Sequence, residues 1–234
     1  MLDQWSANIQ DWLLPCLCPA CGDPAGSGRE LCSGCENDLP TLRHACPRCA
    51  MPYDHPDTHG ECGACQKHPP AFTRCMAAYR FAPPIDHFIR ELKFHHQLGL
   101  ARLLGTRLAQ RLQHEAQRPD LILPVPLHMA RLRERGYNQA LEIARPVARL
   151  LGVPLAADSL RRVRATAPQT GMAVAARRKN VRGAFALEPG AKLKNLHVAL
   201  VDDVMTTGST AQAAAQCLRA AGVRDIELWV IARA

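Results

Sequence analysis

Apolar residues follow two spacings along this chain, one helical and one strand-like, and the two alternate from about residue 76 to the C-terminus. Apolar positions three and four residues apart mark amphipathic helices, while short unbroken apolar runs between turn residues mark buried strands. The spacing predicts helices over Ile85–Phe94, Leu98–Leu112, Glu142–Leu151 and Ser209–Ala221, and strands over Met76–Phe81, Leu121–Leu123, Leu196–Val201 and Ile226–Ile231. Strands that alternate with helices predict an α/β fold whose parallel sheet is flanked by helices.

The N-terminal part of the chain shows neither spacing. It has few large apolar residues, and Pro69-Pro70 separates it from the first predicted strand. A chain of 234 residues has room for one medium domain and one small domain. We therefore predict a small N-terminal domain over residues 1–70 and an α/β domain over residues 76–234.

Cysteine is the residue that most distinguishes the small domain. Eight of the chain's 11 cysteines form four C-x2-C pairs, which are Cys18 and Cys21, Cys32 and Cys35, Cys46 and Cys49, and Cys62 and Cys65. Thiolates paired at this spacing are typical of tetrahedral zinc sites, and eight of them suffice for two ions. We predict a double zinc ribbon with two structural Zn²⁺ ions, whose binding free energy stabilises a domain that has little apolar core.

Other uses of these cysteines fit the spacing less well. Disulfides are disfavoured in a cytoplasmic chain, regular pairs of pairs differ from the cysteine run of a ferredoxin, and a thioredoxin-like motif needs a single C-x2-C that opens a helix. The order of pairing stays open. Consecutive pairs that share an ion close the shortest loops and cost the least chain entropy, whereas a cross-brace would interleave the pairs.

The residues after the apolar run at 198–201 carry the strongest functional pattern in the chain. Two carboxylates, Asp202 and Asp203, stand at the carboxyl end of a predicted strand, where ligands bind in open α/β sheets. A turn of small residues then leads into a helix, whose N-terminal N–H groups suit a phosphate; the turn consists of Thr206, Thr207, Gly208, Ser209 and Thr210. The pattern predicts a sugar-phosphate site, with ribose hydroxyls on the acids and the 5′-phosphate on the turn.

A simpler interpretation is that Asp203 or Thr207 merely caps the following helix. The combination of two acids, an apolar pair and five small residues directly after a strand favours ligand binding over capping. Carboxylates also suit a hydrated Mg²⁺ ion beside a phosphate, so we expect Mg²⁺ to accompany the ligand.

A basic segment follows the strand predicted at 121–123. It contains Arg131, Arg135 and Gly136 in a strand-to-helix connection. Arginine matches phosphate oxygens with two parallel hydrogen bonds, and glycine allows a ligand to approach the backbone closely. We assign this connection to a pyrophosphate group, with an exposed basic helix start as the alternative.

A second basic stretch, residues 161–185, predicts a loop that closes over a charged substrate and excludes water from it. Its candidate residues are Arg164, Gln169 and Arg178. For any one of them, a solvated loop position is an equally good interpretation.

Charge is unevenly divided between the two predicted domains. Residues 1–75 hold 5 Lys and Arg against 9 Asp and Glu, whereas residues 76–234 hold 24 against 12. The positive excess beside the predicted ligand site suits a polyanion, either a pyrophosphate-bearing sugar or a nucleic-acid backbone.

No apolar run approaches the roughly 18 residues of a membrane span, and the N-terminus does not resemble a secretory signal. We expect a cytoplasmic protein with no membrane insertion.

Together, the four cysteine pairs and three further motifs resemble the ComF family, which includes bacterial competence proteins and GntX-like proteins. The motifs are PVPLH followed by RERGYNQ, RAT followed by RKNVRGAF, and VALVDDVMTTGST. The last motif also resembles the phosphoribosyl-pyrophosphate (PRPP) loop of type I phosphoribosyltransferases. The resemblance implies PRPP and Mg²⁺ as ligands, Asp202 and Asp203 as the catalytic acids, and the turn from Thr206 to Thr210 around the 5′-phosphate. It also implies a role in handling incoming single-stranded DNA, with a competence helicase as a partner.

Three functions stay open at this level. The first is a PRPP-binding protein of the ComF type, which acts as a phosphoribosyltransferase if it is catalytic. The second is a non-catalytic adaptor for nucleic acid or protein that retains the fold, although an aromatic content of 5% offers few stacking platforms for single strands. The third is a salvage enzyme that transfers the sugar phosphate to a nucleobase. No residue of the sequence identifies the acceptor nucleophile.

Overall fold

Four parallel strands and the helices around them form the centre of the computed structural model, which describes residues 16–115, 117–165 and 183–234. The strands of these residues are β1 (Arg74–Arg80), β2 (Leu121–Pro124), β3 (Leu160–Arg162), β4 (Phe185–Leu187), β5 (His197–Met205) and β6 (Asp225–Arg233). The helices are α1 (Ser33–Asn37), α2 (Gly63–Lys67), α3 (Ile85–Phe94), α4 (Leu98–Glu115), α5 (Met129–Arg135), α6 (Gln139–Leu151) and α7 (Ser209–Ala220).

The main sheet has the strand order β1-β6-β5-β2, with every neighbouring pair parallel. Its central strands are buried on both faces, which is why they read as near-continuous apolar runs in the sequence. The α/β fold class predicted from the sequence is confirmed. A separate antiparallel pair, β3 and β4, lies at the two ends of the basic stretch 161–185, which the sequence analysis predicted only as a loop.

Strand β5 runs four residues beyond the apolar segment that predicted it. Its pairing with β6 continues from Val201 opposite Trp229 through Asp202 opposite Val230 to Met205 opposite Arg233. The two acids therefore lie inside the last part of the strand. The apolar run predicted a strand that is too short, because the hydrogen bonds between strands are made by the backbone and do not require apolar side chains at the end of a strand.

The basic connection after β2 is also more ordered than predicted, because it contains the short helix α5. His128 begins this helix by accepting a hydrogen bond from the Ala130 N–H at its Nδ1 atom, over 3.2 Å. Gly136 ends it with a φ of 81°, a conformation that glycine adopts without strain. Asn138 then starts α6 by accepting from the Ala140 N–H.

Each face of the sheet has its own apolar layer. Helices α3, α4 and α6 cover one face and pack on alternate side chains of β5 and β6, including Val201 and Trp229. Helix α7 and the β3–β4 pair cover the other face around Leu200 and Val230. This arrangement places the ends of β2 and β5 side by side, so the predicted acids and the predicted arginine segment share one edge of the sheet.

The segment between the two cysteine-rich units covers the free edge of β1. The Leu42 N–H donates to the Ala78 carbonyl over 3.1 Å, and the Arg80 N–H donates to the Pro40 carbonyl over 2.8 Å. The first unit packs into one apolar layer through Leu31, whereas the second packs into the other layer around Ala50. The cysteine-rich units thus lie on opposite faces of the sheet, while the domain boundary at 70–76 stays a prediction.

Gly105 allows α4 and α6 to approach each other closely. A Cβ atom at this position would lie 2.5 Å from the Ile143 carbonyl oxygen and 2.5 Å from Pro146 Cγ. We expect Gly105→Ala to lower the free energy of unfolding by about 1–3 kcal/mol, because the backbone of a packed helix must move. Gly99→Ala is the matched control in the same helix, where the new methyl group meets nothing within 4 Å. Urea unfolding should show this control unchanged or stabilised by up to about 1 kcal/mol; equal effects of the two substitutions would contradict the packing constraint.

Within the described part of the chain, no helix combines the length and apolar character that a bilayer crossing requires.

Candidate functional site

Two groups of four cysteines form sites for metal ions. Cys18, Cys21, Cys32 and Cys35 make the first group, and Cys46, Cys49, Cys62 and Cys65 make the second, with the sulfur atoms of each group within 4.8 Å of one another. The structure therefore joins consecutive pairs, the order that closes the shortest loops. We call residues 18–35 the first ribbon and residues 46–65 the second ribbon.

The sulfur spacing in both ribbons fits a tetrahedral zinc ion. The Sγ atoms of Cys21 and Cys32 are 3.8 Å apart, and those of Cys49 and Cys62 are 3.7 Å apart. A Zn–S bond of about 2.3 Å in a tetrahedron separates the sulfurs by about 3.8 Å. The donor set and its spacing thus fit two structural Zn²⁺ ions, as the sequence predicted.

The predicted acid pair lies at the carboxyl end of β5, where successive side chains point to opposite faces of the sheet. Asp203 is buried, with 4% of its surface exposed, whereas Asp202 is half-buried. The Asp203 N–H donates to Asp202 Oδ1 over 2.9 Å, and the Val204 N–H donates to Asp203 Oδ1 over 2.7 Å. These backbone bonds fix the position of both carboxylates before any ligand arrives.

Lys93 is the partner of the buried carboxylate, and the sequence analysis did not identify it. Its Nζ atom lies 2.8 Å from Asp203 Oδ2, although the direction of approach is not that of a hydrogen bond. Lys93 stands near the end of α3, 110 residues before Asp203, so no local spacing links the two. Only the packing of α3 against the sheet brings this cation to the acid pair.

The charge state of Asp202 is set by its surroundings. Burial and the charge of Asp203 together raise the pKa of Asp202 to about 7, although the Asp203 N–H, Lys93 and Arg162 act in the opposite direction. An acid with a pKa near neutrality changes its charge in the physiological range, so the charge at this position depends on pH.

Arg162 is a second residue of the site that the sequence analysis did not single out. It ends β3, half-buried, with its guanidinium carbon 5.6 Å from the centre of the Phe185 ring. Burial lowers the pKa of Arg162, whereas the charge of Asp202 raises it and that of Arg131 lowers it. Because side chains alternate along a strand, the neighbouring Arg161 lies on the other side of β3, where its Nε atom is 2.6 Å from Glu188 Oε2. The sequence analysis did not predict this strand.

We call Thr206–Thr210 the phosphate loop. Gly208 has a φ of 73° and turns the chain into α7, whose Gln212 N–H donates to the Gly208 carbonyl over 2.8 Å. The hydroxyls of Thr207 and Ser209 lie 2.9 Å apart, and the Ser209 N–H reaches the Thr207 hydroxyl at 3.4 Å. Among the described residues, no protein acceptor takes the N–H groups of Thr206, Thr207 or Gly208.

The candidate pyrophosphate residues lie on α5 and at its end. Arg131 is half-buried on the side of Arg162. Arg135 donates to Gln139 Oε1 over 2.6 Å, and its guanidinium carbon lies 5.6 Å from the centre of the Phe94 ring. Gly136 is exposed at the end of the helix. The charge of Arg131 thus acts on Arg162, while Arg135 contacts Gln139 and Phe94.

The third group of candidates falls partly outside the described residues. Arg164 is exposed after β3. Gln169 and Arg178 lie within residues 166–182, which the structure does not describe, so their assignment to a closing loop stays a prediction.

Two protein-family models match the chain. A double zinc ribbon domain matches residues 9–66, and a phosphoribosyl transferase domain matches residues 137–234. The first match covers both cysteine groups, and the second covers the acid pair and the phosphate loop.

The similarity to curated relatives extends over most of the chain. It is 34% identical to the DNA utilization protein YhgH of Escherichia coli O157:H7, over 94% of this chain and 98% of the relative. It is 36% identical to Competence protein F of Haemophilus influenzae, over 87% of this chain and 90% of the relative. A glutamine PRPP amidotransferase from B. subtilis aligns over 56% of this chain and 25% of its own, with 21% identity and a TM-score of 0.38, which is too low to add to these matches.

Proposed function

The chain belongs to the ComF family of proteins with a double zinc ribbon and a phosphoribosyltransferase domain, and from that membership we propose that it binds PRPP with Mg²⁺ at the carboxyl end of its sheet. The observation that carries this proposal is the arrangement at the end of β5. Fixed carboxylates stand directly before a turn in which the N–H groups of Thr206, Thr207 and Gly208 have no protein acceptor among the described residues.

Each part of PRPP has a complementary group in this arrangement. The ribose hydroxyls donate to the carboxylates of Asp202 and Asp203, since ionised acceptors form the stronger hydrogen bonds. The 5′-phosphate accepts from the phosphate loop at the positive end of the α7 dipole. The pyrophosphate faces the cations at the end of the neighbouring strand, where Arg131 and Arg162 lie.

The carboxylates of Asp202 and Asp203 would hold a hydrated Mg²⁺ ion beside the ligand, and that ion would neutralise part of the pyrophosphate charge. If the protein is catalytic, pyrophosphate leaves the anomeric carbon of the sugar as positive charge develops there. The ionised acids then stabilise that charge, and fixed positioning supplies most of the rate enhancement.

Calorimetry of the zinc-loaded chain with PRPP, in the presence and absence of Mg²⁺, tests this proposal. We expect a single site that Mg²⁺ strengthens. Ribose 5-phosphate should bind more weakly because it lacks the pyrophosphate that faces Arg131 and Arg162. Absence of heat with PRPP at millimolar concentration would contradict the proposal.

The raised pKa of Asp202 makes PRPP affinity depend on pH. The ribose hydroxyls favour the ionised carboxylate, so below a pKa of about 7 binding must release a proton. We expect the dissociation constant to rise about tenfold for each pH unit below 7 and to level off above it. The ligand's own phosphates also titrate near pH 6, and Asp202→Asn provides the control. In that variant the remaining pH dependence should come from the ligand alone.

We further propose that the protein acts in the handling of incoming DNA in the cytoplasm. Two relatives are named for DNA utilization and for competence, and eight reduced thiols in metal sites suit a reducing compartment. A surface beside the acid pair supports contact with single strands. Phe94, with 65% of its surface exposed, lies under the Arg135 guanidinium, and aromatic rings beside arginine stack bases.

A salt titration of single-strand binding, with and without PRPP, tests this second proposal. We expect the affinity for a single-stranded oligonucleotide to fall steeply with salt. Phe94→Ala should weaken the affinity at every salt concentration without changing the slope, because it removes stacking and no charge. Leu150→Ala is the matched control, since Leu150 is another exposed apolar residue. Equal affinities of the two variants would contradict a stacking role for Phe94.

A further inference from the structure

A groove of about 400 Å³ runs along the outer edge of β1, between the second ribbon and α4. Four consecutive residues of the strand, Arg74–Ala77, line this edge groove. Successive side chains of a strand point to opposite faces of the sheet, so a space that touches all four must follow the edge of the strand. Met76 packs into one apolar layer and Cys75 into the other, as this position requires. The groove is distinct from the acid pair, because β6 lies between β1 and β5.

The backbone of β1 directs hydrogen-bonding groups into the edge groove. The Thr73 N–H donates inward to the Ile226 carbonyl, whereas the Ala78 carbonyl accepts from the Leu42 N–H on the outer side. Because these directions alternate along a strand, the N–H and C=O groups of Met76 also point outward. The segment 40–42 pairs only with the carboxyl half of β1, and no partner takes the Met76 groups within the part of the chain that the structure describes. An open edge of this kind accepts a further strand.

Arginine dominates the charge of the groove walls. Residues 1–75 hold only 5 Lys and Arg against 9 Asp and Glu, yet three of those five basic residues line this one groove, and α4 adds a fourth arginine. The only acid among the described lining residues is Glu61, whose carboxylate pairs with Arg48 at 2.7 Å. Positive charge is therefore concentrated here, in an otherwise acidic part of the chain, which suits an acidic occupant. The four arginines are Arg43, Arg48, Arg74 and Arg111.

Two other occupants fit the edge groove less well. A second copy of this chain that paired edge to edge would bring its own arginines against these, and like charges in contact are unfavourable. A single-stranded nucleic acid would find no aromatic ring among the described lining residues on which to stack its bases. An extended peptide needs no such ring, because its backbone pairs with the strand itself.

We propose that the edge groove docks an extended, acidic segment of a partner protein, which adds a fifth strand to the main sheet beside β1. The backbone of this segment pairs with the outward groups of Met76, and its carboxylates meet the arginines of the walls. Its alternate side chains pack on the apolar surface of the second ribbon, which Ala45 and Ala50 provide. Four residues of β1 line the groove, so a segment of about four residues, roughly 13 Å in length, fills it.

Fluorescence anisotropy of a labelled hexapeptide of alternating glutamate and valine, titrated with the full zinc-loaded chain, tests this inference. We expect saturable binding that weakens with salt. A peptide with lysine in place of glutamate should bind at least about tenfold more weakly, because its charges repel the arginines. A glutamate peptide that is methylated at every backbone nitrogen keeps its charges but has no N–H donor. It should also bind at least about tenfold more weakly, since a strand pairs through its backbone.

A change in the protein locates the binding site. Arg43→Glu reverses an exposed charge on the groove wall and should weaken the glutamate peptide at least about tenfold, while PRPP affinity stays unchanged. Arg149→Glu is the matched control, since Arg149 is exposed on α6 and does not line the groove. The two peptide controls need no variant, so the test stands even if Arg43→Glu does not fold.

Several results would overturn the inference. These are equal binding of the lysine and glutamate peptides, full binding of the methylated peptide, and equal effects of Arg43→Glu and Arg149→Glu. Displacement of the glutamate peptide by a single-stranded oligonucleotide, with Arg43→Glu weakening both, would assign the groove to nucleic acid instead. None of these results bears on PRPP binding, which is measured separately at the carboxyl end of the sheet.

Discussion

The double variant Asp202→Asn with Asp203→Asn should lose PRPP binding, with a dissociation constant at least about a hundredfold higher. A hydrogen bond to a charged group contributes about 1.5–3 kcal/mol, and tenfold in affinity corresponds to 1.4 kcal/mol. Removing two charged acceptors therefore costs at least about 3 kcal/mol of binding free energy. Asparagine keeps the shape of both side chains, so calorimetry with PRPP and Mg²⁺ reports the loss of charge.

The buried acid needs a separate check on folding. Asp203→Asn leaves Lys93 without its anionic partner at a partly buried position, so the free energy of unfolding of each variant is measured by urea titration. The control removes two exposed acids elsewhere, Asp54→Asn with Asp158→Asn, and should retain PRPP affinity. A folded Asp202/Asp203 variant with unchanged affinity would refute the assignment of the ribose to these acids.

Loss of the second zinc ion should weaken PRPP binding, whereas loss of the first should not. Cys46→Ser removes a ligand of the second ribbon, which Arg233 connects to the phosphate loop. Cys18→Ser removes a ligand of the first ribbon, which packs on the other face of the sheet. Couplings between sites in proteins are typically 5–150-fold, so we expect the dissociation constant for PRPP to rise at least fivefold in Cys46→Ser alone.

Both cysteine variants should bind one zinc ion instead of two, as measured by metal analysis of the purified chain. Each should also unfold at lower urea, because zinc binding supplies folding free energy to its ribbon. Cys16→Ser is the control, since Cys16 is exposed and belongs to neither group. Equal PRPP affinities of Cys46→Ser and Cys18→Ser would show that the phosphate loop does not depend on the second ribbon.

Local spacing predicted the parts of this protein that are set by neighbours in the chain. The C-x2-C pairs predicted two metal sites because a knuckle brings two thiolates together within four residues. The apolar runs predicted the four main strands because a strand buried on both faces has no polar alternation. The acids and the phosphate loop lie next to each other for the same reason, since they are adjacent in the chain at the end of β5, while the ligand that they hold stays a prediction.

Contacts between distant segments could not be predicted in this way. Lys93 reaches Asp203 only because α3 packs against the sheet, and a lysine at the end of an amphipathic helix is otherwise an ordinary surface residue. In the sequence, Arg233 is an ordinary polar residue at the end of a predicted strand. In the structure it is buried, and it donates to carbonyls of the second ribbon and of Met205, directly before the phosphate loop. A glycine on the surface of a helix has many possible causes, so Gly105 did not indicate that α6 packs closely against α4 at this position.

The segment between the two ribbons also protects the edge of the main sheet. By pairing with β1, Pro40–Leu42 occupies hydrogen-bonding groups that an outer strand would otherwise offer to other molecules. A shortened protein that began at Arg74 would expose this row of donors and acceptors, together with the apolar side chains that the ribbons cover. We expect such a shortened protein to self-associate through strand addition, because the cysteine-rich region no longer shields this edge of the sheet.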